Sequence, residues 1–356
     1  MKTLIVPDSY KGTLSSNEVA ETIKSVLEKA SDCDVKAIPF ADGGEGFCNA
    51  VKSICKGDVL YTKCHDIYGK EIDGYITVFN KTAVVECAVA SGLQKRKNVM
   101  QSSSYGTGEL IRFAAENGYK SIILGLGGTG CCDGGIGALS ALGVRFYDEN
   151  QNIMKMPKSN DINFVFGMST KDKVKGISFT FASDVENEFF GKNGAAYVFA
   201  PQKGARKTDV EELDQGLQRL NAFFKTDVSK LKGAGAAGGI CGGLYSVYGG
   251  EIKSGFDILS ELCDLESEIK AADIVITGEG KTDEQTLMGK LPYKISELCK
   301  KHGKKCVVIS GSADNVKIGD EMITLVDDKT TLEEALEHPI EVLSEKVQNN
   351  LEIILK

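Results

Sequence analysis

Short apolar runs rich in β-branched residues alternate along this chain with segments in which apolar positions recur every three or four residues. Residues 3–6 (TLIV) read as a strand, and Val19, Ile23, Val26 and Leu27 then mark one side of a helix that opens at Ser15 or Ser16 and runs to about Lys29. Residues 35–39 form the next strand. Towards the other end, 273–277, 306–310 and 322–326 are further strands. Helices are predicted at about 292–302 and 331–338, the latter with a capping box from Thr330 and Glu333. Strands and helices alternating at this spacing predict parallel βαβ units in a doubly wound sheet.

The middle of the chain has a different pattern. Between about 64 and 180 the strands are longer and more polar (75–79, 83–87, 177–181), and no regular crossover helices are predicted between them. A mixed α/β domain inserted into a discontinuous Rossmann-like (flavodoxin-like) parallel-sheet domain accounts for both patterns. The boundaries expected are 1–62 with 254–356 for the outer domain and 63–253 for the insertion, and no internal repeat argues otherwise.

Composition narrows the function classes. A length of 356 residues with 42% apolar content suits two ordinary cores. A net charge of -8 argues against a general nucleic-acid or anionic-membrane surface. The opening MKTLIVPDS turns polar too soon for a signal peptide, and no apolar run approaches the ~20 residues that span a bilayer. A cytoplasmic enzyme is expected. The eleven cysteines include no Cys-x-x-Cys, and Cys48, Cys55, Cys64 and His65 have no zinc-site spacing, so reduced, packed thiols are expected.

The glycines cluster with acids. GLGGTGCCDGG at 125–135 follows the apolar run 121–124 and leads into a short predicted helix at 136–142. A strand, glycine loop and helix start expose backbone N–H groups beside the positive end of a helix dipole, which favours phosphate. Asp133 within that loop suits a site where a cation intervenes or a proton is removed. If exposed there, Cys131 or Cys132 would have a lowered thiol pKa and react readily. Four acids, Asp8, Asp42, Asp184 and Glu279, each stand just past a predicted strand, at the edge where parallel sheets bind ligands. Helix capping by acids after strands is the plainer alternative for any one of them.

Two look-alikes compete. Gly280-Lys281-Thr282 imitates the end of a P-loop, but Val275 stands where the motif needs glycine. Gly125, Gly127 and Gly130, with Asp148 downstream, satisfy a dinucleotide fingerprint and make a nicotinamide-dependent oxidoreductase the alternative enzyme. GAGAAG at 233–238 also matches, yet follows a polar stretch and reads as a helix start packed against a neighbour or facing a ligand. A non-catalytic organic-acid or nucleotide sensor would explain glycine loops but not four acids on one rim.

PDSYKGTLSSNEVA (7–20), PFADGGEG (39–46), YGTGEL (105–110), GLGGTGCCDGGIGALSALGVRF (125–146), FASDVEN (181–187), GAAYVFAPQKGA (194–205), GAGAAGG (233–239) and VITGEGKTDEQTLMGKLP (275–292) together resemble the successive signature blocks of the bacterial glycerate kinase family. The resemblance implies transfer of the γ-phosphoryl of ATP to a hydroxyl of D-glycerate, generally giving 2-phosphoglycerate, with a divalent cation, in a site between the two domains. Partners other than this small substrate are not implied, neither nucleic acid nor membrane, although a homo-oligomer is compatible.

On that reading Asp184 or Asp42 is the general base, with Lys11 a third catalytic candidate, and Glu279 and Asp283 hold Mg2+. Lys11, Lys203 and Lys281 supply positive charge. Asp8, Ser9, Gly43, Gly44, Thr107, Gly127, Gly128, Asp133, Gly134 and Gly278 complete the expected substrate and nucleotide contacts. Two departures stand out: Cys131-Cys132 replaces a Thr-Asn usual in the family, and Glu188 a proline. His65, His302 and His338 lie outside every block.

Overall fold

In the computed structural model, which describes all residues except Asp42, Gly43 and Glu45, the strands in chain order are β1 (Lys2–Pro7), β2 (Asp34–Ala37), β3 (Asp58–His65), β4 (Glu71–Phe79), β5 (Thr82–Glu86), β6 (Ser121–Gly125), β7 (Arg145–Tyr147), β8 (Gly167–Ser169), β9 (Ser178–Ala182), β10 (Glu251–Lys253), β11 (Ile274–Gly278), β12 (Lys281–Thr282), β13 (Lys305–Ser310), β14 (Ser312–Ala313) and β15 (Glu321–Thr324). The chain divides into two units. One comprises Met1–Ala41, Ser53–Cys55 and Phe256–Lys356, the other Asp42–Lys52 and Lys56–Gly255.

The first unit is built on an all-parallel sheet of order β15-β13-β11-β1-β2. Its central strands are buried almost throughout and mostly apolar because helices cover both faces, as parallel sheets require. The helix Ser16–Ala30 begins where Ser15 and Glu18 cap each other's backbone N–H groups, and it buries Val19, Ala20, Ile23 and Leu27. These side chains meet Ile5, Ile276, Val307 and Leu343 in one core. The capping box predicted at Thr330 and Glu333 is replaced by a single side-chain cap one residue later. Thr331 caps the helix Leu332–Glu337 by accepting from the Glu334 N–H, while the Thr330 N–H donates to Asp327.

The second unit has a mixed sheet of order β10-β9-β6-β5-β4-β3, antiparallel across β3, β4 and β5 and parallel from β5 to β10. One expectation fails here. A helix, Tyr105–Glu116, does cross between the parallel pair β5 and β6. Its two glycines conceal it in the sequence, and the structure shows why they are present. A Cβ on Gly106 would lie 1.8 Å from the His65 carbonyl oxygen, and one on Gly108 would lie 2.3 Å from that of Ala138. The helix therefore packs backbone against backbone, an approach only glycine permits.

Candidate active site

In the first unit, β1 and β11 are neighbours, so Asp8 and Glu279 emerge side by side at the carboxyl edge of the sheet; the Asp8 N–H donates to the Gly278 carbonyl at 2.9 Å. The Asp8 carboxylate in turn accepts from the Ser9 N–H at 2.7 Å. Glu279 is only 5% exposed. Its Oε1 accepts from the hydroxyls of Thr286 at 2.5 Å and Thr282 at 3.3 Å, and its Oε2 lies 3.6 Å from Lys290 Nζ. The same ammonium is 3.5 Å from Asp283 Oδ1. Desolvation works against ionisation of Asp283, but the Lys290 charge and the donors of Gln285 and Thr286 hold its pKa below the ordinary value. Burial, helped by the Glu279 charge, holds the Tyr10 hydroxyl protonated, and it donates to the Ile309 carbonyl at 2.8 Å.

Lys281 and Lys11 are exposed at this edge, Lys281 pairing with Asp314 at 3.1 Å. Gly278 is present for a different reason from the one expected. A Cβ there would stand 1.7 Å from the Ile309 carbonyl, so the glycine admits the adjacent strand rather than a ligand. Asp42 and Gly43 lie outside the described residues, and Gly44 is half-buried.

In the second unit the carboxyl ends of β5, β6 and β9 present Glu86, then Gly127 and Gly128, then the exposed Asp184. The glycine loop departs most from expectation. Gly127 and Gly128 are reachable from solvent, but residues 129–139 are buried. Asp133 is fully buried and accepts from the Ser104 N–H and hydroxyl, both at 2.7 Å, from Gly135 N–H at 3.0 Å and from Gly137 N–H at 3.3 Å. Ala138 N–H donates to the Ser104 hydroxyl and Gly134 N–H to the Gly238 carbonyl. The helix Ile136–Ala141 thus already holds an anion at its amino end, the protein's own carboxylate, and has no donors left for a phosphate. Burial raises the Asp133 pKa even against these hydrogen bonds.

Neighbouring assignments change with it. Burial pushes the Cys132 thiol up to about 12 and the Cys131 thiol well above its ordinary value, the opposite of an activated cysteine. Lys203, 3% exposed, donates to the Cys131 carbonyl at 2.7 Å and to the Thr129 hydroxyl at 3.3 Å, clamping the loop from within. Thr107 is fully buried and shares a 2.7 Å hydrogen bond with Ser91. A Cβ on Gly134 would meet Leu217 and Leu220 below 3 Å, and one on Gly238 would lie 2.1 Å from the Cys131 carbonyl, so GAGAAG packs on the loop. The dinucleotide reading fails on the same geometry, and Asp148 is a turn residue that accepts from the N–H groups of Asn150 and Asn152.

Sequence reasoning missed Glu86 and Lys290. Glu86 is an acid at a strand end like the others, 4% exposed and accepting from the Cys48 N–H at 2.5 Å, but the apolar run predicts a strand reaching Cys87 and so hides it. Lys290 lies in the MGKLP block and is recognisable only once Glu279 and Asp283 are seen to face it. Among the described residues no three His, Cys, Asp or Glu gather as a metal cluster, and no helix is long and apolar enough to cross a membrane.

Carboxylates, hydroxyls and ammonium groups at the carboxyl edges of parallel strands are the equipment of an α/β enzyme acting on small charged substrates. Kinases are such enzymes, and the comparisons specify which. The chain belongs to the glycerate kinase family, whose model matches residues 3–355, and is accordingly a phosphotransferase. It is 36% identical over 354 residues to glycerate 2-kinase of Escherichia coli (strain K12), covering 94% of this chain and 93% of that one. It is 35% identical over 358 residues to glycerate kinase of Bacillus cereus, with the same coverage. A crystal structure from Salmonella typhimurium LT2, assigned as a glycerate kinase 2, superposes with a TM-score of 0.87 at 34% identity, covering 100% of this chain and 98% of that one.

Proposed function

We propose that this chain phosphorylates D-glycerate with ATP, giving 2-phosphoglycerate, and that Mg2+ takes part. The observation that carries the reading is the Glu279–Lys290–Asp283 arrangement within a member of the family: an ammonium already stands between two carboxylates, where a cation is called for. The donors are all hard oxygens, as magnesium prefers. Glu279 and Asp283 would hold the ion, which when bound neutralises charge on the phosphate oxygens. Thr282 and Thr286 fix the Glu279 carboxylate by hydrogen bonds, so its orientation is set in advance.

Asp184 is assigned as the base that takes the proton from the attacking hydroxyl, with Asp42 the alternative. Lys11 and Lys281 are assigned to the phosphates, Asp8 and Ser9 to polar contacts beside Glu279, and Gly44, Gly127 and Gly128 to close backbone approach. Lys203, Thr107, Asp133, Gly134 and Gly278 shape the loops and strands instead. The oxidoreductase and sensor readings find no support in the family relationship.

The test is D-glycerate-dependent ADP formation by the purified chain. The rate is expected to collapse without a divalent cation and to be indifferent to NAD. Asp184→Asn should lower kcat by roughly 10²-fold or more, as loss of a general base does, with a smaller change in KM. No ADP formation with any of several divalent cations would overturn the function. An unaffected Asp184→Asn enzyme beside an inactive Asp42→Asn enzyme would exchange the two assignments.

A further inference from the structure

A groove follows one face of the helix Leu291–His302, along which Tyr293, Glu297 and Lys300 recur at helical spacing, with Lys304 just past the Gly303 cap. The segment around Lys317 and Asp320 forms its other wall. The cavity of about 680 Å³ lies within the ~300–1,000 Å³ usual for small-ligand sites.

Its charge runs against that of the chain. Lys300, Lys304, Lys305, Lys317 and Lys356 line it, in a protein of net charge -8, against two acids, Glu297 and Asp320. One oxygen of Asp320 is taken by the Cys306 N–H at 2.8 Å. Lys305 donates to the Ile353 carbonyl and Lys356 pairs with Glu352. Lys300, Lys304 and Lys317 have no ion pair or side-chain hydrogen bond among the described residues. Lysines of the same helix that face elsewhere are partnered: Lys301 pairs with Glu266 at 3.0 Å, and Lys294 sits 4.6 Å from the centre of the Phe256 ring. The negative end of the helix dipole accounts for Lys300 and Lys304. It does not account for Lys317 and Lys356, which arrive from two other segments.

We propose that this groove is a second binding site, for a small phosphate-bearing anion. The lysine end belongs to the opposite edge of the sheet from Glu279. Lys305 and Cys306 open β13, whereas Ser310, hydrogen-bonded to Thr282, closes it, a separation of about 16 Å at ~3.3 Å per residue. Its apolar end, at Leu287 and Tyr293, flanks the segment that carries Lys290.

Amine acetylation read residue by residue by mass spectrometry tests this at constant ionic strength, with pyrophosphate and 2-phosphoglycerate as separate probes and Lys171 and Lys207 as internal standards. At several times its dissociation constant, either probe should slow labelling of Lys300, Lys304 and Lys317 by about fivefold, by mass action, and leave the standards unchanged. Protection by pyrophosphate alone identifies a free phosphate anion as the ligand, and protection by 2-phosphoglycerate a phosphorylated organic acid. In the Lys300→Gln/Lys317→Gln variant, expected to keep its ADP-forming activity, protection of Lys304 should vanish. No protection by either probe, protection equal to that of the standards, or protection of Lys304 that survives the double substitution would overturn the proposal.

Discussion

Four hydrogen bonds converge on the Asp133 carboxylate, three of them from backbone N–H groups that the starts of two helices, Tyr105–Glu116 and Ile136–Ala141, leave without intrahelical partners. Asp133→Ala would strand these donors in a buried place at about 1–3 kcal/mol each. A loss of at least ~3 kcal/mol in urea unfolding is expected, with Asp133→Asn losing less because one oxygen remains to accept. If the alanine variant does not fold, the asparagine variant still reports; a change below about 0.5 kcal/mol in it would contradict the clamp. The same burial decides the behaviour of Cys131 and Cys132. With thiols held protonated and fully enclosed, neither should react with iodoacetamide in the native enzyme, and both should react after denaturation. Native alkylation of either, mapped by peptide mass spectrometry, would show the loop to be open.

For the helix Tyr105–Glu116, local propensity and packing predict opposite signs. Gly106→Ala should stabilise an isolated helix by about 1 kcal/mol. In the fold, the new methyl would meet the His65 carbonyl at 1.8 Å and the Ala90 side chain at 2.9 Å. Overpacking of this kind costs about 1–3 kcal/mol, and the obstructing atom is backbone, which cannot rotate away. The variant is therefore expected to melt several degrees lower, and a raised melting temperature would mean that the helix stands off from β3. The element also explains a failure of sequence reading. YGTGEL looks like a ligand loop because glycine is poor in helices, but these glycines serve a contact with residues some 30 to 40 positions away.

Across the molecule, ion pairs at the surface join segments distant in sequence. Glu266 accepts from Lys301 and His302 of the helix Leu291–His302 and lies 3.3 Å from Lys270. Hydrogen bonds from Lys301, Lys270 and His302 hold its pKa down to about 2. A carboxylate depressed by folding contributes stability that is fully present above its unfolded value, about 4.3, and is lost as pH falls through the folded one. The stability difference between the wild type and Glu266→Gln should therefore be constant at neutral pH and shrink between about pH 4.5 and 2.5. A difference that does not change over that window would show the pairs to be unformed in solution.

What the residues determine unaided is whatever depends on short-range pattern: the buried strands, the helix Ser16–Ala30 with its cap, the parallel α/β class, and the acids Asp8, Asp184 and Glu279 at strand ends, where a βα junction must place them. The ordered signature blocks carry the family as well. Only the tertiary structure decides which polar groups in those blocks are available. Asp133, Lys203 and Thr107 read as ligands in the chain and are buried and partnered within the fold, and Gly278 admits a strand. Lys290 has no meaning until Glu279 and Asp283, separated from it along the chain, are brought around its ammonium. The reason is that burial and hydrogen-bond partnership are set by groups far away in sequence, and no local pattern encodes which donor will already be taken.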